Sequence, residues 1–183
     1  MPRINPALID QIDNSTQATL ASVKSKLGMV PNLFATLAHS PVALTGYISL
    51  AEIVTKGKLN ARQRELIALA VAQTNECQYC LSAHTLLGKG AGLSESEMMD
   101  ARVGVSINSV DQAISALARK IVAQKAMLND TELNAARSAG LNDDVILEVV
   151  ANVTLNLMSN YVNHIAQTDI DFPLVAVSQQ HAA

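Results

Sequence analysis

Two cysteines and a histidine stand close together in Glu76-Cys77-Gln78-Tyr79-Cys80-Leu81-Ser82-Ala83-His84, and no other stretch of the chain gathers residues so able to do chemistry. Cysteines three positions apart at a helix start share one face and can close a disulfide locally. Unpaired backbone N–H groups and the helix dipole favour an anion there, which lowers a thiol pKa and raises the reactive thiolate fraction. One thiolate can then attack a peroxide oxygen to give a sulfenic acid, the other can condense with it to a disulfide, and an external dithiol can reset the pair. The expected centre is a redox-active dithiol of a small helical thiol peroxidase or disulfide reductase. Its competitor is a pair of buried core cysteines. The dipole acts more strongly on Cys77, nearer the helix start, so this argument alone does not settle which sulfur attacks.

His84 follows Cys80 by one helical turn, close enough to accept a proton from the thiol or to relay one. Glu65 adds a carboxylate whose helical neighbours, Ala61, Ala68, Leu69 and Ala72, are all apolar, so it is expected to face the interior. A carboxylate buried there costs several kcal/mol unless paired or protonated. It suits a proton acceptor; the bland alternative is an ion pair with Arg62, Arg64 or Arg102. Tyr79, between the cysteines, either hydrogen-bonds in the site or only packs. Glu76 is a helix-start anion whose charge would raise a neighbouring thiol pKa. Cys77, Cys80 and His84 would also suit zinc, but a closed tetrahedron needs His39, His164 or His181 as well, and no further cysteine exists.

The elements that position these residues read as helices throughout. The chain has 183 residues, 49% of them hydrophobic but only 3% aromatic, so its core must be built from Ala, Leu, Ile, Val and Met, and an all-α single domain over residues 1–183 is expected. Helical periodicity runs from about Asn5 to Leu27, closed by Gly28. Short helices open at Pro31 and at Pro41, the second closed by Gly57. Asn60 with Gln63 forms a capping box for a helix to Thr74, and the unbroken apolar run Leu66 to Ala72 implies burial on nearly every face. Thr74 or Asn75 is expected to cap the cysteine helix, which ends among Gly88, Gly90 and Gly92. Ser94 caps the next, Ser109 to Gln112 reads as a capping box for a helix to about Leu128, and two more follow Asp130 and Asn142. Met98, Met99, Met127 and Met158 read as core filler. A net charge of -3 without charge runs implies no nucleic-acid partner and no polybasic membrane patch. Pro2 and Pro6 interrupt the N-terminus where a secretory signal needs an apolar run, and no unbroken apolar run nears about 20 residues, so a cytoplasmic protein without a membrane partner is expected. In a reducing compartment a close cysteine pair is more often catalytic or metal-binding than a permanent staple.

Glu65, then eleven residues, Cys77-x-x-Cys80, three residues and His84 resemble the active-site pattern of the AhpD-like alkylhydroperoxidases in the carboxymuconolactone decarboxylase superfamily. Gly28-Met29-Val30-Pro31-Asn32-Leu33-Phe34, Ser40-Pro41, Leu59-Asn60, Arg64-Glu65-Leu66 and the Asn-rich last helix resemble it too, over roughly residues 25–172. The resemblance implies an AhpD-like helical bundle of about seven to nine helices. It implies reduction of alkyl or related hydroperoxides, with Cys80 meeting peroxide, Cys77 as its disulfide partner, and Glu65 and His84 as a proton relay. It further implies no bound cofactor, an external dithiol reductant such as a dihydrolipoyl group on a partner protein, and a homo-oligomer, trimer or hexamer. Tyr79 departs from the pattern, which has a histidine there; lactone decarboxylation is disfavoured because that branch lacks the cysteine pair. The alternative function is a non-catalytic redox sensor or disulfide-exchange protein.

Overall fold

The run Leu66 to Ala72 is at most 3% exposed at every position, and the reason is that its helix is enclosed on all sides. A computed structural model describes residues 1–178 and has nine α-helices and no strand among them. They are α1 (Asn14–Leu27), α2 (Asn32–Leu37), α3 (Pro41–Val54), α4 (Ala61–Thr74), α5 (Gln78–Gly90), α6 (Glu95–Val103), α7 (Ser109–Ala123), α8 (Asp130–Ser138) and α9 (Asp143–Ala166). Helix α4 packs against α5, α6, α7 and α9. Leu66, Leu69 and Ala72 face one core with α1, α2, α3, α5 and α6, whereas Ile67, Ala70 and Val71 face a second core with α7, α8 and α9. Two apolar stripes on one helix explain a run that shows no polar face. Leu69→Ala, at a fully buried position, is expected to lower unfolding stability by about 2–5 kcal/mol, read as a drop in the urea midpoint at unchanged slope.

Local signals set most boundaries. Gly28 closes α1 at φ 79°, a left-handed position that favours glycine. Asn60 and Gln63 form the capping box of α4, and Ser94 and Glu97 that of α6. Elsewhere the boundaries differ from expectation for identifiable reasons. Asp13 accepts hydrogen bonds from Ser15 N and Thr16 N, so α1 begins at Asn14, preceded by a 3-10 turn at Ile9–Gln11. Helix α3 ends at Val54, before Gly57. Asn108 accepts from Val110 N and Asp111 N and caps α7, leaving Ser109 as its first residue. Met98 is buried as expected, but Met99 and Met127 are exposed.

Helix α9 is long and apolar enough to cross a membrane by length and composition. It lies against α3, α4 and α7 and turns inward a row of buried polar residues, Asn152, Asn156, Ser159, Asn160 and Asn163. Asn152 Nδ2 and Asn156 Nδ2 donate back to the Glu148 and Asn152 carbonyls, at 2.8 and 2.9 Å, which satisfies them without a partner helix. Glu148, twelve residues before Asn160 as Glu65 is before Cys77, accepts from Lys58 N and Leu59 N and anchors the loop before α4. After α9 an extended strap, residues 168–178, returns across α5. Asp171 accepts from Asn32 N at 2.7 Å, Val175 N donates to Ser82 Oγ, and Arg102 donates to Gln73 Oε1 and the Ala176 carbonyl.

Candidate active site

The chain turns from α4 into α5 through Asn75 and Glu76, and Glu76 takes a left-handed φ of 56°. That turn delays the helix, so Cys77 itself is the N-cap of α5, and neither Thr74 nor Asn75 fills that place. Cys80 sits in the first turn. Both cysteines are free thiols, each 2% exposed. A hydrogen bond from the Cys80 thiol holds the Cys77 thiol down to about 7 against the opposing effect of burial, and the charges of His164 and His84 act in the same direction. For Cys80, burial pushes the thiol well above its ordinary value, the contact with Cys77 adds to this, and a hydrogen bond from Asn163 and one shared with Ser159 oppose it. Of the two sulfurs, the thiolate is therefore favoured on Cys77 and the thiol on Cys80.

The two sulfurs face different spaces. Cys80 lines an apolar cavity of about 290 Å³ whose walls include Leu33, Phe34, Tyr47, Phe172 and His84. Cys77 is absent from that wall and instead lines a polar cleft with Glu76, Asn163, His164 and Thr168. Tyr79 borders both spaces. Its hydroxyl accepts from Leu33 N at 3.1 Å, it is hydrogen-bonded to Asp171, and its ring meets Phe172 edge-on at 5.5 Å. Tyr79 thus ties α2 and the strap to α5 and forms the partition between the two spaces.

Glu65 on α4 and His84 on α5 meet as expected, Nδ1 to Oε2 at 2.8 Å, with both side chains 18% exposed. The arginines considered as partners for Glu65 go elsewhere: Arg62 pairs with Glu97, Arg64 donates to the Leu59 carbonyl, and Arg102 donates to Gln73. Burial by itself pushes His84 down, but the charge and hydrogen bond of Glu65 outweigh it, and the imidazole lies above its ordinary value of 6.5. The folded value exceeds the unfolded one, so stabilisation from this group is fully present below pH about 6.5 and is lost as pH rises through the folded value. Glu65→Gln removes the outweighing charge. The His84 titration midpoint, followed by NMR of its imidazole, is expected to fall below that of the parent.

Three further residues complete the surroundings of Cys80. Asn163 Nδ2 donates to Cys80 Sγ at 3.2 Å, and Ser159 Oγ lies 3.9 Å from the same sulfur. Tyr47 is hydrogen-bonded to Ser159, and burial, then the charges of Cys80 and Glu65, push its hydroxyl far above the usual tyrosine range. It stays a protonated donor on the cavity wall. None of these stands near the cysteine motif in sequence; a lone tyrosine within the apolar α3 was the available signal. Among the described residues no three His, Cys, Asp or Glu side chains gather as metal ligands. His39 bonds to the Asn5 carbonyl and His164 to that of Asn75, and His181 lies outside the described residues.

Residues 41–124, which include Glu65, Cys77, Cys80 and His84, match the carboxymuconolactone decarboxylase family. An uncharacterized protein of Haemophilus influenzae is 49% identical over 45 residues, 24% of this chain and 40% of that relative, so the match spans less than half of the relative's length. Among solved structures, an uncharacterized peroxidase-related protein from Ralstonia eutropha, described as an alkylhydroperoxidase AhpD core, superposes with a TM-score of 0.83 at 21% identity, covering 93% of this chain and 92% of that one. A peroxidase-related protein from Silicibacter sp. gives 0.78 at 25% identity, covering 92% and 93%. The debrominase Bmp8, in complex with 2,3,4-tribromopyrrole, gives 0.78 at 16% identity, covering 92% and 91%. These likenesses share the all-helical fold with chains of differing chemistry.

Proposed function

We propose that this chain, a member of the carboxymuconolactone decarboxylase/AhpD superfamily, reduces small organic hydroperoxides with Cys80 as the attacking sulfur and Cys77 as its disulfide partner. The observation that carries this reading is the placement of Cys80 on the wall of an apolar cavity beside His84, itself bonded to Glu65, with the lowered Cys77 thiol hydrogen-bonded to Cys80. The apolar walls suit the organic part of a hydroperoxide and exclude water, which strengthens the charge interactions within.

The steps balance as follows. Cys80 Sγ attacks the terminal peroxide oxygen and the O–O bond breaks; the Cys80 proton passes to the Cys77 thiolate, and the protonated His84 gives its proton to the departing alkoxide. The products are an alcohol and a Cys80 sulfenic acid. Cys77 then attacks Cys80 Sγ, the S–O bond breaks, and hydroxide leaves with the Cys77 proton as water. An external dithiol reduces the disulfide, two electrons per cycle. Glu65 positions His84 and favours its charged form, Asn163 Nδ2 donates to the reacting sulfur, and the Ser159 hydroxyl, which donates to the Asn156 carbonyl, accepts from it.

The test compares turnover of cumene hydroperoxide, tert-butyl hydroperoxide and a bromopyrrole in the presence of dihydrolipoamide. Hydroperoxide turnover is expected, and the Cys77→Ser protein should stop after one equivalent with a dimedone-reactive sulfenic acid on Cys80. Debromination without hydroperoxide turnover would move the substrate class toward that of Bmp8. A reaction that halts at one equivalent in the parent, with dithiol present, would support redox sensing instead.

A further inference from the structure

Helix α9 turns its asparagines inward, and its opposite face is left open among the described residues. On that face Leu147, Ala151, Thr154, Met158, Tyr161 and Ile165 follow one another at alternating intervals of four and three residues, the heptad spacing of a helix-pairing seam. Leu147, Tyr161 and Ile165 are 68%, 53% and 65% exposed, and no charged residue occurs between Glu148 and His164. Helix α3 lies beside α9 and carries a second outward stripe at the same spacing, Val42, Gly46, Ser49 and Ile53, all of them exposed. A contiguous apolar face of this extent marks an interaction surface.

We propose that the two stripes form an interface with a second copy of this chain, α9 antiparallel to α9 and α3 antiparallel to α3 about a single two-fold axis. The side-chain sizes carry the choice of occupant and of direction. In antiparallel register centred on position 156, Leu147 meets the partner's Ile165, Ala151 the partner's Tyr161 and Thr154 the partner's Met158. Each small residue thus faces a large one. Parallel pairing would set Tyr161 against the partner's Tyr161 and Ala151 against the partner's Ala151, a clash beside a void. On α3 the same operation sets Val42 against the partner's Ile53 and Gly46 against the partner's Ser49. A Cβ added at Gly46 would meet nothing within 4 Å, so the surface there is open to close approach.

One axis serves both stripes. Within the chain α3 and α9 run antiparallel, with Gly57 beside the Glu148 carboxylate and Tyr47 bonded to Ser159, so the middle of the α3 stripe stands within about one turn of the middle of the α9 stripe. From Leu147 to Ile165 the seam is about 27 Å long, and α3 lies about 9 Å to its side. Each face therefore measures roughly 500 Å², and two together reach the size of about 1,000 Å² that a specific interface requires. A membrane surface suits the face less well, because α9 contains no Lys or Arg and the chain carries a net charge of -3. The proposal does not depend on the chemistry of the cysteine pair.

Sedimentation velocity of the full chain at micromolar concentration is expected to show a species of twice the 19.4 kDa chain mass, a readout that needs no variant. Thr154 is exposed and stands about one turn, ~6 Å along the axis, from its counterpart, so Thr154→Lys and Thr154→Glu each place like charges at the centre of the interface. Each variant alone should dimerise about a hundredfold more weakly at unchanged helical circular dichroism, and an equimolar mixture of the two should recover the dimer. The same pair of substitutions at Ser49 repeats the readout on α3. Met127→Lys, at an exposed apolar position on neither stripe, should leave the dimer unchanged. A larger parent assembly that the single variants break and the mixture restores would equally support the surface. A monomeric parent, an assembly that Thr154→Lys leaves whole, folded variants that stay apart when mixed, or a parent that gathers only on vesicles of phosphatidylcholine and phosphatidylglycerol would overturn the proposal.

Discussion

Cys80→Ser is expected to lower hydroperoxide turnover to the uncatalysed background, a loss of about a thousandfold or more, while leaving the fold intact. A serine hydroxyl in the same place is a far weaker nucleophile toward peroxide oxygen and cannot form the sulfenic acid on which the second step depends. The substitution is small, and Asn163 Nδ2, which donates to the sulfur, can donate to the hydroxyl. Turnover is read with dihydrolipoamide, and folding by the urea midpoint. Retained turnover in this variant would place the attacking group on Cys77, the thiol of lower pKa, and would make the apolar cavity irrelevant to the reaction.

The second large effect concerns the proton delivered to the leaving group. His84→Ala removes the imidazole beside the cavity and is expected to lower kcat/KM for tert-butyl hydroperoxide about a hundred- to ten-thousand-fold, the usual range for a positioned general acid. An alkoxide is a poor leaving group and needs that proton; the carboxylate released from peracetic acid does not. The same variant should therefore lose little rate with peracetic acid. An equal loss with both oxidants would mean that His84 supports the cavity and does not deliver protons. The contrast between the substrates separates these roles, because the pair with Glu65 also contributes to packing between α4 and α5.

Much of this arrangement was legible along the chain because it is local. The Cys-x-x-Cys spacing, His84 one turn later and the apolar neighbours of Glu65 all follow from helical periodicity, and the structure brings Glu65 and His84 to 2.8 Å. The apolar run of α4 announced its central place for the same reason. What the sequence hid is what depends on packing between distant elements. Tyr47, Ser159 and Asn163 reach Cys80 only because α3 and α9 lie against each other and α9 against α5. The left-handed Glu76 shifts the start of α5 and makes Cys77 its cap, a backbone choice that no propensity of glutamate indicates. The two sulfurs line different spaces, and Tyr79, whose hydroxyl is anchored by α2 and the strap, lines both. The residue between the cysteines is thus a wall, and a histidine relay at that position has no counterpart here.

The pKa directions carry the division of labour within the pair. Cys77 is held down to about 7 by a hydrogen bond from the Cys80 thiol, whereas burial pushes Cys80 up. In the proposed reaction the more acidic sulfur would serve as base and resolving partner, and Cys80 would react on the wall of the apolar cavity. The helix-start argument favours the thiolate on Cys77, and the lowered Cys77 thiol agrees in direction although its first cause is the hydrogen bond with Cys80; the proposed reaction gives the attack to Cys80 because that sulfur lines the apolar cavity.

The most direct test of the account mixes the fully reduced protein with one equivalent of cumene hydroperoxide in the absence of any reductant and counts products. The account predicts that each chain loses two thiols, gains one internal Cys77–Cys80 disulfide and releases one equivalent of cumyl alcohol. Thiols that survive the exposure, or a disulfide that links two chains, would contradict it.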